Sequence, residues 1–369
     1  MINVKRLLEE FCKLVSIDST SFKEREMADY LKKELSKIGV EIYEDNAGDY
    51  YNSNTGNLYC RLKGNTEGEP VLFSAHMDTV EPGAGKKAVV HSDGSITSEG
   101  NTVLGADDMS GVAAIIEALR TIKENNISHR DIELLFPIAE ETYIKGTNVF
   151  DFNRIKSKTA YILDLSGETG RAALQAPSLI SFTIEVKGKA AHAGFSPEKG
   201  INAIAAAAYA ISNVRQGKID SESTLNIGTI EGGTGTNIIS ESCIVKGELR
   251  SLEHNKALNM LNSLKSVFED SCKNYNAELK FYYNIDLKAY KTDKNSITVE
   301  RYERACNALG INTEYISTFG GSDNNNFAKN GIEGIVVGCG YNNAHSCQEC
   351  INVSDLEKLS SIVLKLMTM

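Results

Sequence analysis

The chain has 369 residues, and 39 Lys plus Arg against 49 Asp plus Glu leave a formal net charge of −10. That length predicts about two domains, and 41% hydrophobic with 24% charged residues excludes a mainly disordered chain. The acidic balance argues against a nucleic-acid binder, and no apolar run approaches the ~18 residues of a membrane span. The opening MINVKRLLEEFCK places two Glu where a secretory signal needs an unbroken apolar stretch, so a cytoplasmic protein is expected. Eight scattered Cys read as reduced thiols and not as a disulfide scaffold.

Leu7, Leu8, Phe11, Cys12 and Val15 recur at helical spacing. Ser21 with Glu24 predicts a capping box ahead of a helix carrying Met27, Leu31, Leu35 and Ile38 on one face. The runs 71–75, 132–139 and 160–164 are short and apolar, as expected of strands buried on both faces. Between the first two, Val112, Ile115, Ile116 and Leu119 mark a helix. Alternation of strands and helices predicts an α/β domain with a mixed, largely parallel sheet.

The middle of the chain differs. Ile180, Phe182, Ile184 and Val186 alternate as in a half-buried strand. An Ala-rich helix follows near 200–214, then strands near 224–231 and 242–251, a helix near 254–276 and a strand at 278–287. That order is β-α-β-β-α-β, the ferredoxin-like arrangement. The α/β texture then returns with a helix near 296–309, a strand at 334–338 and a last helix opened by Ser354 and Glu357. The expected organisation is one domain of 1–174 and 290–369 with a second, 175–289, inserted into it.

The first run leads directly into His76-Met77-Asp78. Residues i and i+2 at a strand end point the same way, toward the sheet edge where open α/β folds bind ligands. A lone His-x-Asp is ordinarily a surface pair, and adjacent carboxylates such as Asp107 and Asp108 ordinarily favour a helix N-terminus. Here, however, a second strand ends in Glu140-Glu141 and a third in Asp164. Carboxylates gathered in one place repel unless something positive sits among them. One or two divalent metal ions are the economical answer.

The series HMDTV, LGADDMSGV, a strand ending in EE, a strand ending in D and a distal His resembles the dinuclear zinc exopeptidase family. Within it the chain is most similar to the peptidase T branch. The resemblance spans essentially the whole chain and implies an inserted lid and dimerisation domain, hence a homodimer. It implies His76 and Asp164 as ligands of a first metal, Asp107 as a bridge, and Glu141 with His345 on a second. Asp78 is then the carboxylate that orients His76, since a ligand imidazole needs its other nitrogen held, and Glu140 is the general base. Two ions are implied, zinc before cobalt or manganese. In the inserted domain, His192 in GKAAHAGFSPEKG matches a residue that stabilises the oxyanion in the partner's active site. Asn237 and Arg250 match substrate-holding positions, and Asp323, after a glycine pair in a loop that lies near the substrate in relatives, is implied as a third substrate-binding residue.

The implied activity is hydrolysis of short peptides, as by a tripeptide aminopeptidase. The alternatives with the same site are an N-acyl amino acid amidohydrolase and a carboxypeptidase. A catalytically dead peptide-binding relative is disfavoured because Glu140 and every expected ligand are present. The stretch TYIKG after the paired Glu, and Asn324-Asn325-Asn326 after the glycine pair, depart from the family pattern near the expected substrate pocket. Gly233 to Asn237 lacks the last glycine of a dinucleotide fingerprint. Cys347 and Cys350 lack the partner pair of a structural zinc site, and His91, His129 and His254 are expected on the surface.

Overall fold

The computed structural model describes all 369 residues, which divide into two compact units, Met1–Gln175 with Lys291–Met369, and Ala176–Tyr290. The first unit opens with helices α1 (Val4–Val15) and α2 (Arg25–Ile38) and strands β1 (Glu41–Glu44), β2 (Leu58–Leu62) and β3 (Val71–Ser74). Helix α3 (Ala106–Asn125) and strands β4 (Ile132–Phe136), β5 (Thr159–Leu165) and β6 (Arg171–Ala176) follow. The second unit runs β7 (Ser178–Lys187), α4 (Ala203–Ser212), β8 (Ser223–Gly232), β9 (Ser242–Ser251), α5 (His254–Tyr275) and β10 (Glu278–Leu287). The first unit is completed by α6 (Ile297–Ala308), β11 (Glu333–Gly338) and α7 (Val353–Met367).

The main sheet of the first unit has the central order β1-β2-β4-β3-β5-β11-β6. Its middle is parallel, β4 with β3, β3 with β5 and β5 with β11, and β1, β2 and β6 pair antiparallel on the flanks. Every residue of β3 and β4 is buried, because a parallel sheet is covered on both faces. Val112, Ile115, Ile116 and Leu119 of α3 are fully buried in the same core, each such side chain contributing ~1.5–3 kcal/mol of transfer free energy. A Cβ at Gly111 would lie 2.4 Å from Asp108 Oδ1 and 2.8 Å from the Leu163 Cβ. Only glycine therefore lets the start of α3 sit this close to β5.

The second unit is β-α-β-β-α-β, with four antiparallel strands in the order β8-β9-β7-β10. Ile180, Phe182, Ile184, Val245, Leu249 and Phe268 form a separate core with α4 and α5. A further short strand, Gly217–Asp220, pairs with the first residues of β8, an element the sequence pattern did not suggest. Its pairing stops at Leu225. Beyond that point β8 is largely exposed, with Ile230 50% accessible.

Two helix starts differ from expectation. Glu24 precedes α2 but makes no side-chain cap, so Ser21 and Glu24 form no capping box. The side chain of Asn352 caps α7 by accepting the Ser354 N–H at 2.9 Å, which moves Ser354 into the first turn. Of the histidines expected on the surface, His91 is exposed and His254 half-buried. His129 is buried, its Nδ1 2.8 Å from the Arg130 carbonyl.

Candidate metal centre

Parallel strands in register deliver their C-terminal residues to one edge. β3 runs into His76 and Asp78, β4 into Glu140 and Glu141, and β5 carries Asp164 near its end. The start of α3 brings Asp107, which has non-helical dihedrals, and the loop after β11 brings His345. His76 Nε2 lies 3.1 Å from Asp107 Oδ1 and 3.8 Å from Asp164 Oδ1. His345 Nε2 lies 2.9 Å from Glu141 Oε2 and 3.5 Å from Asp107 Oδ2. Asp107 thus turns one oxygen to each histidine. Donor atoms of His76, Glu140 and Asp164 all fall within 4.8 Å of one another, as do those of His76, Asp107 and Glu141.

The electrostatics of this cluster are those of a cation site. Burial, then the charge of Asp164, pushes the Glu140 carboxyl well above its usual range. Burial, then Asp107, does the same to Asp164. Asp107 is itself buried, but hydrogen bonds to His345 and His76 hold it below the usual range. Burial disfavours the His76 imidazolium, yet Asp107, Asp78 and Asp164 outweigh that and raise it well above normal. His345 is raised to about 10 by its bonds to Asp107 and Glu141. Protons here neutralise crowded carboxylates. Two imidazoles, His76 and His345, and three carboxylates, Asp107, Glu141 and Asp164, are also donors of the kind that hold divalent ions, with Glu140 beside them, so the residues fit a two-metal centre.

Buried carboxylates that are not donors frame the cluster. Asp78 Oδ1 accepts the Glu140 N–H at 2.9 Å, and Oδ2 accepts the Glu141 N–H at 3.2 Å and the Ser21 hydroxyl at 2.7 Å. His76 Nδ1 is held at 2.9 Å by the backbone carbonyl of Asp78 and lies 3.4 Å from its Oδ1. Asp108 accepts the N–H groups of His76 at 3.1 Å and Gly111 at 3.2 Å. Glu24 accepts the N–H of Ala139 at 2.9 Å and that of Phe22 at 2.9 Å. Ala139 has a φ of +49°, a left-handed conformation that an alanine keeps only when its surroundings hold it. Glu349 accepts the N–H groups of Gly105 at 2.7 Å and Asp107 at 3.0 Å. By its spacing Glu24 reads as a helix cap, and Glu349 stands in no recognisable motif. Its position four residues after His345, in an otherwise uncharged loop, was the available signal.

A cavity of about 210 Å³ opens on the cluster, lined by Asp107, Glu140, Glu141, Asp164, Tyr341 and His345, with Gly320 to Ser322 on another side. Asp323 does not line it. Its buried carboxylate accepts the Thr147 hydroxyl at 2.5 Å, and burial raises it to about 6. The asparagines after it are also buried. Asn325 Oδ1 accepts the Ser322 N–H at 3.1 Å, and Asn326 Nδ2 donates to Thr147 at 3.0 Å. This departure from the family pattern therefore braces the glycine loop from behind and does not face the cavity. In TYIKG, Tyr143 is half exposed and Gly146 is buried, with no room for a side chain against Asn57.

The remaining expected residues belong to the second unit. His192 faces Ile238 in a two-residue ladder, and the Ala193 N–H donates to the Asn237 carbonyl at 2.9 Å, so His192 and Asn237 are neighbours. His192 Nδ1 accepts the N–H groups of Gly194 at 3.1 Å and Phe195 at 3.2 Å. Its hydrogen therefore sits on Nε2, which is left to donate. Arg250 lies on β9, its Nε 2.8 Å from Glu248 Oε1.

The family model for a peptidase dimerisation domain matches residues 175–276, and that for peptidase family M28 matches residues 57–214. An aminopeptidase PepT from Bacillus cereus is 37% identical with a TM-score of 0.94, over 100% of this chain and 98% of that one. A tripeptidase from Staphylococcus aureus is 32% identical with a TM-score of 0.96, over 100% and 98%. An uncharacterized protein of Bacillus subtilis, YqjE, is 37% identical over 99% of this chain and 98% of its own length. With a mixed α/β fold, an inserted dimerisation-domain match and a cluster fit for two metal ions, the chain belongs to the PepT-like family of metal-dependent exopeptidases.

Proposed function

We propose that this chain is a two-zinc tripeptide aminopeptidase of the cytoplasm that works as a homodimer through its inserted unit. The observation that carries the reading is the convergence of Asp107, Glu140, Glu141, Asp164 and His345 on one cavity, with His76 buried beside Asp107 and Asp164. His76, Asp164 and Asp107 would hold one ion, and Glu141, His345 and Asp107 the other. Bound there, the ions supply Lewis acidity toward the scissile carbonyl and toward water.

The chain's own groups do the rest. Asp78 fixes the His76 ring and the Glu140-Glu141 turn. Glu140, held by its backbone N–H and buried among like charges, takes the proton of the attacking water on its carboxylate. It then hands that proton to the departing amine. His192, with its hydrogen on Nε2, donates to the developing oxyanion in the partner's site. Asn237 and Arg250 hold the substrate, Arg250 by its guanidinium fork on the peptide carboxylate. Asp323 supports the glycine loop beside the peptide.

The test is metal removal. Protein stripped by chelator should lose hydrolysis of a free tripeptide and regain it when zinc is restored. Full activity in protein shown by elemental analysis to be metal-free would overturn the reading.

A further inference from the structure

Three buried carboxylates beside the centre, Glu24, Asp108 and Glu349, are not expected ligands and have no role in the chemistry above, and Glu349 is the one that takes the backbone N–H of Asp107. Glu349 is 1% exposed. It spends both oxygens on backbone N–H groups about 240 residues away in sequence, Oε2 on Gly105 at 2.7 Å and Oε1 on Asp107 at 3.0 Å. A carboxylate is not buried to make two backbone bonds without consequence, since its desolvation must be offset. The N–H it grips belongs to Asp107, the one residue that faces both histidines.

Its other end is tied to His345. The segment from His345 to Glu349 is closed by a Glu349 N–H bond to the Ser346 carbonyl at 3.1 Å. It is anchored beyond by the reciprocal Asn342–Cys350 pair at 2.9 and 3.1 Å. His345 has a φ of +62° and a half-exposed ring, so little else packs around it. The Glu349 carboxylate thus links the backbone of Asp107 directly to the turn that carries His345.

We propose that Glu349 is a positioning residue for the second metal ion, holding Asp107 and His345 at ligand distance without contacting the ion itself. The inference rests on the two-metal reading above. Groups that orient ligands in this way typically govern metal affinity by ~10–100-fold.

The experiment titrates metal-free full-length protein with zinc against a chromophoric chelator, for the native chain, Glu349→Ala, Glu349→Gln and Ile351→Ala. Native protein should bind two ions. Glu349→Ala should keep one tight ion and bind the second ~10–100-fold more weakly. Glu349→Gln, isosteric and with one accepting oxygen left, should fall between the two. Ile351→Ala removes a buried side chain from the same segment without cutting either bond, so it should melt lower yet bind both ions as the native chain does. Native affinity for both ions in Glu349→Ala, or in Glu349→Gln should the alanine variant not fold, would overturn the proposal. So would an equal loss of the second ion in Ile351→Ala. A native chain that binds no ion would instead overturn the two-metal reading.

Discussion

Asp78 holds the backbone N–H of Glu140 at 2.9 Å with its side chain, while its own backbone carbonyl lies 2.9 Å from the Nδ1 of His76. One residue at the end of one strand thus sets both an expected ligand on its own strand and the expected base on the next. Its second oxygen adds the Glu141 N–H and the Ser21 hydroxyl.

Asp78→Asn keeps the volume but turns an NH₂ toward a backbone N–H. The variant should lose ~10–100-fold in metal affinity or turnover, checked by zinc titration alongside kcat. Ser21→Ala removes only one of the three donors to Asp78 and should have a smaller effect in the same assay.

Glu140 and Glu141 are adjacent yet should separate cleanly. Glu140→Gln should lower turnover by ~10²–10⁴-fold while metal content and melting temperature hold. Glu141→Gln should lower occupancy of the second ion, because it removes the charge facing His345 Nε2 at 2.9 Å. Elemental analysis with kcat distinguishes the two, and near-native turnover in Glu140→Gln would dismiss it as the base.

The pH dependence of the metal-free protein follows from the raised groups. His345, raised in the fold to about 10 from the usual imidazole value of about 6.5 by its bonds to Asp107 and Glu141, contributes stability that is fully present below the unfolded value. That stability is lost as pH rises through the folded one. His76 is raised in the same direction. Glu140 and Asp164, also raised, favour their protonated forms and oppose folding once ionised. Metal-free protein should therefore melt lower at about pH 8.5 than at about pH 6.5, whereas metal binding displaces those protons and strengthens with pH. The melting-temperature gap between zinc-loaded and metal-free protein should widen over that range. A constant gap would contradict these assignments.

His192 is testable by complementation. His192→Ala should lose ~10²–10³-fold in turnover. Mixed with inactive Glu140→Gln, it should form hybrid dimers having one site with both residues intact, so activity should return. Verified hybrids without activity would place His192 outside its partner's chemistry.

Much of this was legible in the sequence because it lay in local pattern. Buried strands ending in His76, Glu140 and Asp164 announce one sheet edge, and the alternation from Ile180 to Val186 marks a different sheet. What sequence could not show was which backbone group each buried carboxylate would take. Ser21 and Glu24 have the spacing of a capping box. In the fold, their side chains instead serve Asp78 and the turn at Ala139. Glu349 bonds to Asp107 across 242 positions, a pairing that no local period encodes. Asp323 follows a glycine pair as a substrate-facing residue would, yet Thr147, brought by a separate short helix, takes its carboxylate.

The most direct test supplies zinc-loaded protein with a free tripeptide and with the same peptide acetylated at its amine, and identifies the products by mass spectrometry. The account predicts release of the N-terminal amino acid and the remaining dipeptide from the free peptide, and no cleavage of the acetylated one. Cleavage of N-acetylated substrates with no action on free tripeptides would contradict it and assign the same metal centre to deacylation.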